Sequence, residues 1–581
     1  VSGLDDLFVG LACVYDWALR RMRGHRAVRR PDERQLQALP EKRVAIFVPA
    51  WHEDGVIGTM VSHNIAAIRY QNYDFFVGVY PNDRATLRAV EELAERFDNV
   101  HLATCPHDGP TSKADCLNWT YQRMTLYEEA YAARFDLMVT HDAEDLVHPD
   151  ALRWINFYAE EYDFVQIPVL ALPTPPMEWT HGVYCDEFAE YQTKDVPARK
   201  ILGAFLPSNG VGTAYSRAAL EKLALAESNR VFDPGCLTED YENGMRLHRL
   251  GCRQVFVPIT RRNGEFIATR EFFPRTWPAA VRQRTRWVMG IALQSWERHG
   301  WSGGFRQVYW LWRDRKGLIG NPLSAATNAI FAYGFATWCA AEWLRRPWGL
   351  AQAAATHPVG TGMLMATLAL QAIHASVRVG CVWRIYGAWF AVWAPLRAVV
   401  GNWINTLATV RALWLYGSAR YRGEPLVWLK TDHSYPSRAA LMGRRRPLGE
   451  VLVGSGYLSS EDLELAVGMQ PASVKLGEYL VALGKLTEDD LCEALSLQQG
   501  IPLGRVRPEE VNRRVARSLP RHIVRAWSVL PFKVTEGALF LASAHAPADE
   551  LYDALRGFTR LDVRFQLVTQ SNFEELAARL L

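Results

Sequence analysis

The chain lacks the usual marks of an extracellular or nucleic-acid-binding protein. None of its nine cysteines stands in a C-x-x-C spacing, which excludes a paired zinc-ribbon motif and gives no disulfide framework; the thiols read as reduced, in a cytosolic environment. A net charge of +3 over 581 residues is too small to argue for a nucleic-acid partner, and none is expected. With 49% hydrophobic residues and 21 Trp, the composition also excludes a disordered chain. Long apolar runs with few charges are scarce and fall after Arg315.

The length suits several domains of roughly 100–200 residues each. The opening "VSGLDDLFVGLACVYDWALRRMRGHRAVRR" (1–30) is a short apolar stretch with an arginine cluster behind it. It reads as the remnant of an N-terminal membrane anchor with its basic cytoplasmic flank, or as a surface amphipathic helix. Residues 40–300 alternate apolar runs of strand length, "RVAIFVPA", "YDFFVGVY", "FDLMVT" and "DFVQIPV", with helical stretches such as "ATLRAVEELAERF". That alternation predicts an α/β domain with a largely parallel sheet, whose ligands bind beyond the C-terminal strand ends.

One such end is "FDLMVTHDAEDLVHP" (135–149), where three acids, Asp142, Glu144 and Asp145, follow an apolar run directly. In an extended segment Asp142 and Glu144 share a face, and two carboxylates so placed can chelate a hard divalent cation, Mg²⁺ or Mn²⁺. An isolated D-x-E is more often a solvated turn or a helix cap, so the rest of the sequence has to decide.

The remaining motifs do so. "PAWHED" follows the first strand and "YPND" the second; "SKADCLN", "HDAED", "TED" (238–240) and "QRTRW" (283–287) come after them in that order. The set resembles the family 2, GT-A type inverting glycosyltransferases, and more narrowly the membrane-embedded polysaccharide synthases such as cellulose synthase. The resemblance implies nucleotide-binding roles for Glu53, Asp83, Lys113, Asp142 and Arg286. It implies a metal held by Asp142 with Glu144 or Asp145, a base at Asp240 beside Glu239, and an acceptor site at Gln283 and Trp287. The chemistry agrees with these roles. Inverting transfer needs a carboxylate that takes the acceptor proton, and Asp240 is far enough from Asp142 in sequence to be a separate group. A metal and an arginine stabilise the diphosphate leaving group, and the indole of Trp287 offers a flat face to a sugar ring.

After Arg315, the runs 318–344 and 360–377 approach the roughly 20 residues that cross a bilayer, and 380–416 is aromatic and apolar but broken by arginines. Residues 305–416 are therefore expected to form transmembrane and interfacial helices in contact with membrane lipid. If both flanking domains are cytoplasmic, the number of crossings is even. The linker 417–446 carries "PLVWLKTDHSYP" (425–436), where Trp428, Lys430 and Thr431 are candidates for a gating loop of the kind found in synthases.

An internal repeat follows. "PLGEVLVGSGYLSSEDLELAVGMQ" (447–470) aligns with "KLGEYLVALGKLTEDDLCEALSLQ" (475–498) at an offset of 28 residues. Each copy reads as a short helix, a Gly stop, a Ser or Thr cap and an amphipathic helix. Residues 447–581 resemble the MshEN-type domain, which implies a site for cyclic di-GMP as an allosteric activator. The positions implied are Arg446, Leu448, Gly449, Leu452, Gly456, Leu463 and Gln470, with Lys475, Leu476, Gly477, Leu480, Gly484, Leu491 and Gln498 in the second copy. The family pattern opens with Arg, whereas here Pro447 and Lys475 stand at those places and Arg446 lies one position early. Leu and Gly at these positions are equally the core and stop signals of an ordinary helical hairpin.

The expected whole is an α/β GT-A domain, membrane helices and a small α+β regulatory domain. It resembles the NfrB-like phage-adsorption protein B family of Gram-negative inner membranes. That resemblance implies polymerisation of a sugar from a UDP-sugar donor onto a growing glycan, passed to an outer-membrane export partner. An N-acetylhexosamine is the expected sugar, with N-acetylmannosamine a candidate. The rival readings are a non-processive transferase to a lipid carrier and a catalytically silent, dinucleotide-sensing scaffold.

Overall fold

A computed structural model describes residues 2–23, 30–226, 230–262, 264–423, 447–454, 457–471, 474–499, 501, 503–535, 538–559 and 561–580. The chain divides into two compact units, Val1–Ile57 with Arg69–Tyr435, and Gly58–Ile68 with Pro436–Leu581.

The first unit is built on a seven-stranded mixed sheet. Its strands are β1 (Val44–Pro49), β2 (Tyr73–Val79), β3 (Val100–Thr104), β4 (Leu137–Thr140), β5 (Phe164–Gln166), β7 (Thr213–Ser216) and β8 (Gln254–Phe256), in the order β3-β2-β1-β4-β7-β5-β8. A short strand outside this sheet, β6 (Val169–Ala171), pairs in parallel with β11 (Thr269–Glu271), and β9 (Arg261–Arg262) with β10 (Glu265–Phe266) forms a ribbon. β1 and β2 are buried almost throughout, as strands covered on both faces must be, which is why they read as apolar runs, broken in β2 by Asp74, which pairs with Arg43.

The sheet departs from the parallel expectation at β7, which runs antiparallel to both β4 and β5. The chain arrives at the C-terminal edge of β4 through the loop 207–212, where the Gly212 N–H bonds Thr140 O at 2.9 Å. It can enter the sheet from there only in the reverse direction. The Gln166 amide fixes this loop, donating to Val211 O at 2.9 Å and accepting from the Asn209 N–H at 3.0 Å.

Beyond the sheet lie the helices Phe305–Arg315, Gly317–Trp343, Pro358–Tyr386 and Ala394–Arg422. Among the described residues one helix, Pro358–Tyr386, is long and apolar enough to cross a membrane. The helix Ala394–Arg422 has two faces. Arg397, Ile404, Ala408 and Ala412 are fully buried, whereas Leu396, Val399, Trp403, Leu407, Val410 and Trp414 form an exposed apolar stripe at three- and four-residue spacing. The N-terminal helix Ser2–Arg23 exposes Leu4, Phe8, Leu11, Val14 and Trp17, while Asp5 and Asp6 turn inward to Arg313 and Lys316.

The second unit contains the repeat as helices Leu448–Gly454, Ser460–Met469, Leu476–Ala482 and Glu488–Gln499. Ser459 and Thr487 cap the longer helices by accepting from the N–H groups of Asp462 and Asp490, both at 3.1 Å. A three-stranded sheet follows, β12 (Val529–Thr535), β13 (Ala538–Ser543) and β14 (Asp562–Leu567), with β12 antiparallel and β14 parallel to β13.

The Arg397–Asp186 pair is fully buried and bidentate, with both bonds at 2.7 Å. Losing one partner strands a buried charge at a cost of about 3–5 kcal/mol. Arg397→Met is therefore expected to lower the melting temperature in detergent sharply, and adding Asp186→Leu to recover most of the loss. Equal melting of the single and double variants would contradict the pairing.

Candidate functional site

A cleft opens at the C-terminal edge of the sheet, where β1, β2 and β4 end. Its aromatic wall is Trp51 and Tyr80, whose rings meet edge to face at 5.3 Å. The Tyr80 hydroxyl is 2.8 Å from Thr111 Oγ1, which ties this wall to the start of the helix Lys113–Tyr131. Ser112 caps that helix by accepting from the Asp115 N–H at 3.2 Å, and Thr111, Ser112 and Lys113 line the cleft. A helix N-terminus aimed into a cleft favours an anion there.

β4 delivers the acids. Asp142 and Glu144 line the cleft, as their alternation in an extended segment predicts. Asp145 does not. It is fully buried, and its Oδ2 accepts from His141 Nδ1 at 2.8 Å and from the Asp142 N–H at 3.0 Å. Burial, with the Asp142 and Glu144 carboxylates beside it, pushes the Asp145 carboxyl well above its ordinary range, while burial lowers His141 to about 4. Asp145 thus braces the turn that presents Asp142.

The second acidic stretch, Glu239 and Asp240, opens the helix Glu239–Arg249. Burial and the neighbouring Asp240 push Glu239 up to about 7, against Lys113 and Arg286. Burial also raises Asp240, again opposed by Lys113 and Arg286. The Lys113 ammonium bonds Asp142 directly and interacts with Glu239 and Asp240 as well. Burial alone would lower its pKa; the three carboxylates outweigh burial and raise it. One lysine therefore joins acids that lie about a hundred residues apart in the sequence.

Gln283 and Arg286 line the cleft from the helix Trp277–Trp287, one turn apart on one face. Trp287 is half-buried, with its ring 6.1 Å from Tyr184 and 6.2 Å from Phe188. Glu53 lines the cleft beside the aromatic wall, and its N–H donates to Thr86 Oγ1 at 3.0 Å. Asp83 is placed differently. It caps the helix Arg84–Arg96 and accepts from the His52 N–H at 2.6 Å, and these bonds hold its carboxyl below the ordinary range despite burial.

Several cleft residues escaped the motif reading. Trp51 and Tyr80 sit inside the motif segments themselves, where an aromatic at a strand end was a usable signal. Glu271, at the end of β11, carries none, because "TRE" is too short to read as a strand. Gly210 has φ +80° and lies so close to Asp240 that a Cβ there would stand 2.6 Å from Asp240 Oδ2.

In the repeat unit, Gly449 lies against Leu463 and Gly477 against Leu491, equivalent contacts at the same offset of 28. Leu452 and Leu480 are fully buried, and Gly484 ends its helix at φ +67°. Leu448, Lys475, Gly477 and Leu491 line one pocket. Leu476 and Gln498 are half-buried, and the Gln470 amide donates to Val474 O at 2.6 Å. Trp428, Lys430, Thr431, Arg446 and Gly456 lie outside the described residues.

The fold and the cleft define a class. Residues 40–290 match the family described as glycosyltransferase like family 2, and residues 499–581 match the MshEN domain, so the chain joins a GT-A-like α/β glycosyltransferase domain to a small C-terminal domain. Beyond that class, the chain is 34% identical over 564 residues to the bacteriophage adsorption protein B of Escherichia coli K12, covering 94% of this chain and 75% of that protein. It belongs to the bacteriophage adsorption protein B family. Among solved structures it is similar to a mannosyltransferase of Pyrobaculum calidifontis in complex with GDP-Man and Mn²⁺. The identity there is 19% and the TM-score 0.41, over 71% of this chain and 99% of that one. It is also similar to MshE with cdg, at 25% identity and a TM-score of 0.22, over 24% of this chain and 100% of that one.

The contact between Gly210 and Asp240 is open to a controlled test. Gly251 has a similar φ of +73° but nothing within 4 Å of its would-be Cβ. Alanine at either position is expected to cost about 1–2 kcal/mol for the left-handed backbone, read as a small fall in melting temperature. Only Gly210→Ala should also cut glycosyl transfer, by tenfold or more. Equal activity in the two variants would show that Asp240 tolerates displacement.

Proposed function

We propose that this chain is an inner-membrane, inverting glycosyltransferase, activated by cyclic di-GMP, that polymerises a sugar from a UDP-sugar donor. The observation that carries the reading is the ion pair of Lys113 with Asp142 in the cleft, with Glu239 and Asp240 buried near enough to help raise the lysine's pKa. The aromatic wall of Trp51 and Tyr80, with Glu53, takes the uracil and ribose. The helix N-terminus at Ser112–Lys113 and the Arg286 guanidinium take the diphosphate.

The donor set fits a divalent metal. Asp142 and Glu144 both reach the cleft, and Mg²⁺ or Mn²⁺ is commonly held by one or two carboxylates with the phosphates completing the shell. Asp145, engaged with His141 and the Asp142 N–H, orients Asp142 instead. Bound there, the metal would offset the charge of the departing diphosphate.

Asp240 takes the proton of the acceptor hydroxyl, and burial favours this by making the carboxylate a stronger base. Gln283 and Trp287 guide the acceptor. The exposed stripe from Leu396 to Trp414 lies in the membrane interface, beside a crossing at Pro358–Tyr386. The transferred sugar is an N-acetylhexosamine, N-acetylmannosamine being one candidate, and the product leaves toward an outer-membrane partner. Cyclic di-GMP binds across the two repeat copies and shifts the population toward the active state.

The reading is tested by UDP release from the purified full chain, measured over a panel of UDP-hexoses and UDP-N-acetylhexosamines with Mn²⁺ or Mg²⁺, with and without cyclic di-GMP. Release under one donor, stimulated by the dinucleotide, is expected; no release under any donor would favour a sensing scaffold. Asp240→Asn should abolish turnover while leaving UDP affinity within about twofold, and undiminished turnover would remove Asp240 as the base. Gln470→Ala combined with Gln498→Ala should weaken cyclic di-GMP binding by calorimetry while leaving the melting temperature unchanged.

A further inference from the structure

The helix that carries Gln283 and Arg286 does not stop at the cleft. It runs on as a π-helical turn, Val288–Gln294, and π turns inside helices recur at functional sites. Gln283, Arg286, Gly290 and Gln294 follow one another at steps of three and four residues, the spacing of neighbours on a helix surface. The first two line the cleft; the last two grip the chain just ahead of the second acidic pair. The Gln294 side chain is buried, and its amide reaches both sides of Cys236: Oε1 accepts from the Leu237 N–H at 2.9 Å, and Nε2 donates to Gly235 O at 2.7 Å. Gly290 lies so close to Thr238 that a Cβ there would stand 2.4 Å from Thr238 Oγ1. Between these two contacts, Leu237 is buried with Met289 of the π turn and with Ala412.

The helix start that these contacts meet lacks a hold of its own. Thr238 is the cap residue of the helix Glu239–Arg249, yet its side chain makes no capping bond. Such a bond is what usually fixes a helix entry. Here Gln294 and Gly290 do so from outside, over residues 235–238, and the first two helical residues are Glu239 and Asp240. The direction of a first helical turn follows from where the chain enters it, and a base that must meet an acceptor hydroxyl tolerates little displacement. We infer that Gln294 is a positioning residue for Asp240: its amide, with the bare Cα of Gly290 beside it, fixes the entry of the acid-bearing helix relative to Gln283 and Arg286. The inference rests on the reading of Asp240 as the base and adds to it the group, outside the motif and off the cleft, that sets this base in place.

The test compares Gln294 with Asn156, a buried amide at the opposite edge of the sheet. Asn156 makes the same kind of pair, donating to Pro40 O at 3.0 Å and accepting from the Lys42 N–H at 3.4 Å. UDP release by the full chain in detergent with Mn²⁺ is followed for the wild type, Gln294→Ala and Asn156→Ala. UDP-glucose, UDP-N-acetylglucosamine and UDP-N-acetylmannosamine each serve as donor, and UDP affinity is measured by calorimetry. Both variants should lower the melting temperature. With the best donor, Gln294→Ala is expected to lose about tenfold or more in kcat while KM and UDP affinity stay within about twofold. Asn156→Ala should keep kcat within about twofold of the wild type. Gly290→Ala, whose methyl would press on Thr238, should repeat the Gln294→Ala pattern. Gln294→Met, of similar length but without the bonds, replaces the alanine variant if that one does not fold. Unchanged kcat at Gln294 would overturn the inference, and so would equal kcat losses at Gln294 and Asn156, since the amide would then serve stability alone. Equal loss of UDP affinity and kcat would overturn it as well, because Gln294 would then serve donor binding. A wild type that releases no UDP from any donor would instead bring down the transferase reading on which the inference rests.

Discussion

Like charges crowded at the edge of a buried sheet are the constraint that the catalytic unit is built around. β4 ends in carboxylates, and the helix Glu239–Arg249 begins with two more. Desolvation would drive such groups toward neutrality unless a cation stands among them. Lys113, together with Arg286, opposes that shift at Glu239 and Asp240 without cancelling it, and the helix of Lys113 does more than present the lysine. Asn118, lower on the same helix, accepts from the N–H groups of Val231 and Phe232 and donates back to Phe232 O at 2.7 Å. Those residues lead into the segment that ends at Thr238 and Glu239. One helix therefore positions both the lysine and the chain carrying the second acidic pair, so the separation of the two acid groups is set by a rigid element.

The same economy shows around Gln166. A side-chain amide has two donors and an acceptor, and here it holds the loop 207–212 at Val211 and Asn209 while also accepting from Thr213 Oγ1 at 2.8 Å. The loop needs such a hold because it reverses the chain into β7 and brings the bare Cα of Gly210 to Asp240. A looser loop would leave room beside Asp240 for water, which would lower the basicity that burial confers.

What could be read from the sequence follows from which interactions are local. The strands β1, β2 and β4 were legible because burial on both faces makes them predominantly apolar, and the acids of 142–145 stood out as three carboxylates close behind such a run. The repeat was legible because two copies of one hairpin repeat their own caps and stops. The direction of β7 was not, since it depends on where the chain re-enters the sheet and not on the residues of "TAYS" themselves. The choice between Glu144 and Asp145 on the cleft was also hidden: both fit a D-x-D-like pattern, and it is the tertiary burial of Asp145, with its bonds from His141 and the Asp142 N–H, that keeps it off the cleft. Asp83 carries the right type in the right segment, and its second task as cap of the helix Arg84–Arg96 and acceptor of the His52 N–H could not be read there. Glu271 depends on a strand pairing of three residues, below what periodicity can detect.

The segment "QRTRW" shows how one short helix serves two masters. Gln283 and Arg286 face the cleft, and the two residues between them face the other way. Arg284 is buried, with Nη1 on Glu187 at 2.7 Å and also on Asn405, and the Thr285 hydroxyl donates to Val281 O and reaches Ala408 O at 3.4 Å. Asn405 and Ala408 belong to the helix whose opposite face is the exposed apolar stripe. The cleft wall and the apolar surface are thus two sides of one helix pair, joined by buried polar contacts that cannot slide without stranding a guanidinium. Displacement of the apolar helix must move Gln283 and Arg286 with it, because close-packed helices shift as bodies and do not deform continuously. The intervening residues of the motif, Arg284 and Thr285, which do not line the cleft, are therefore constrained as tightly as those that do.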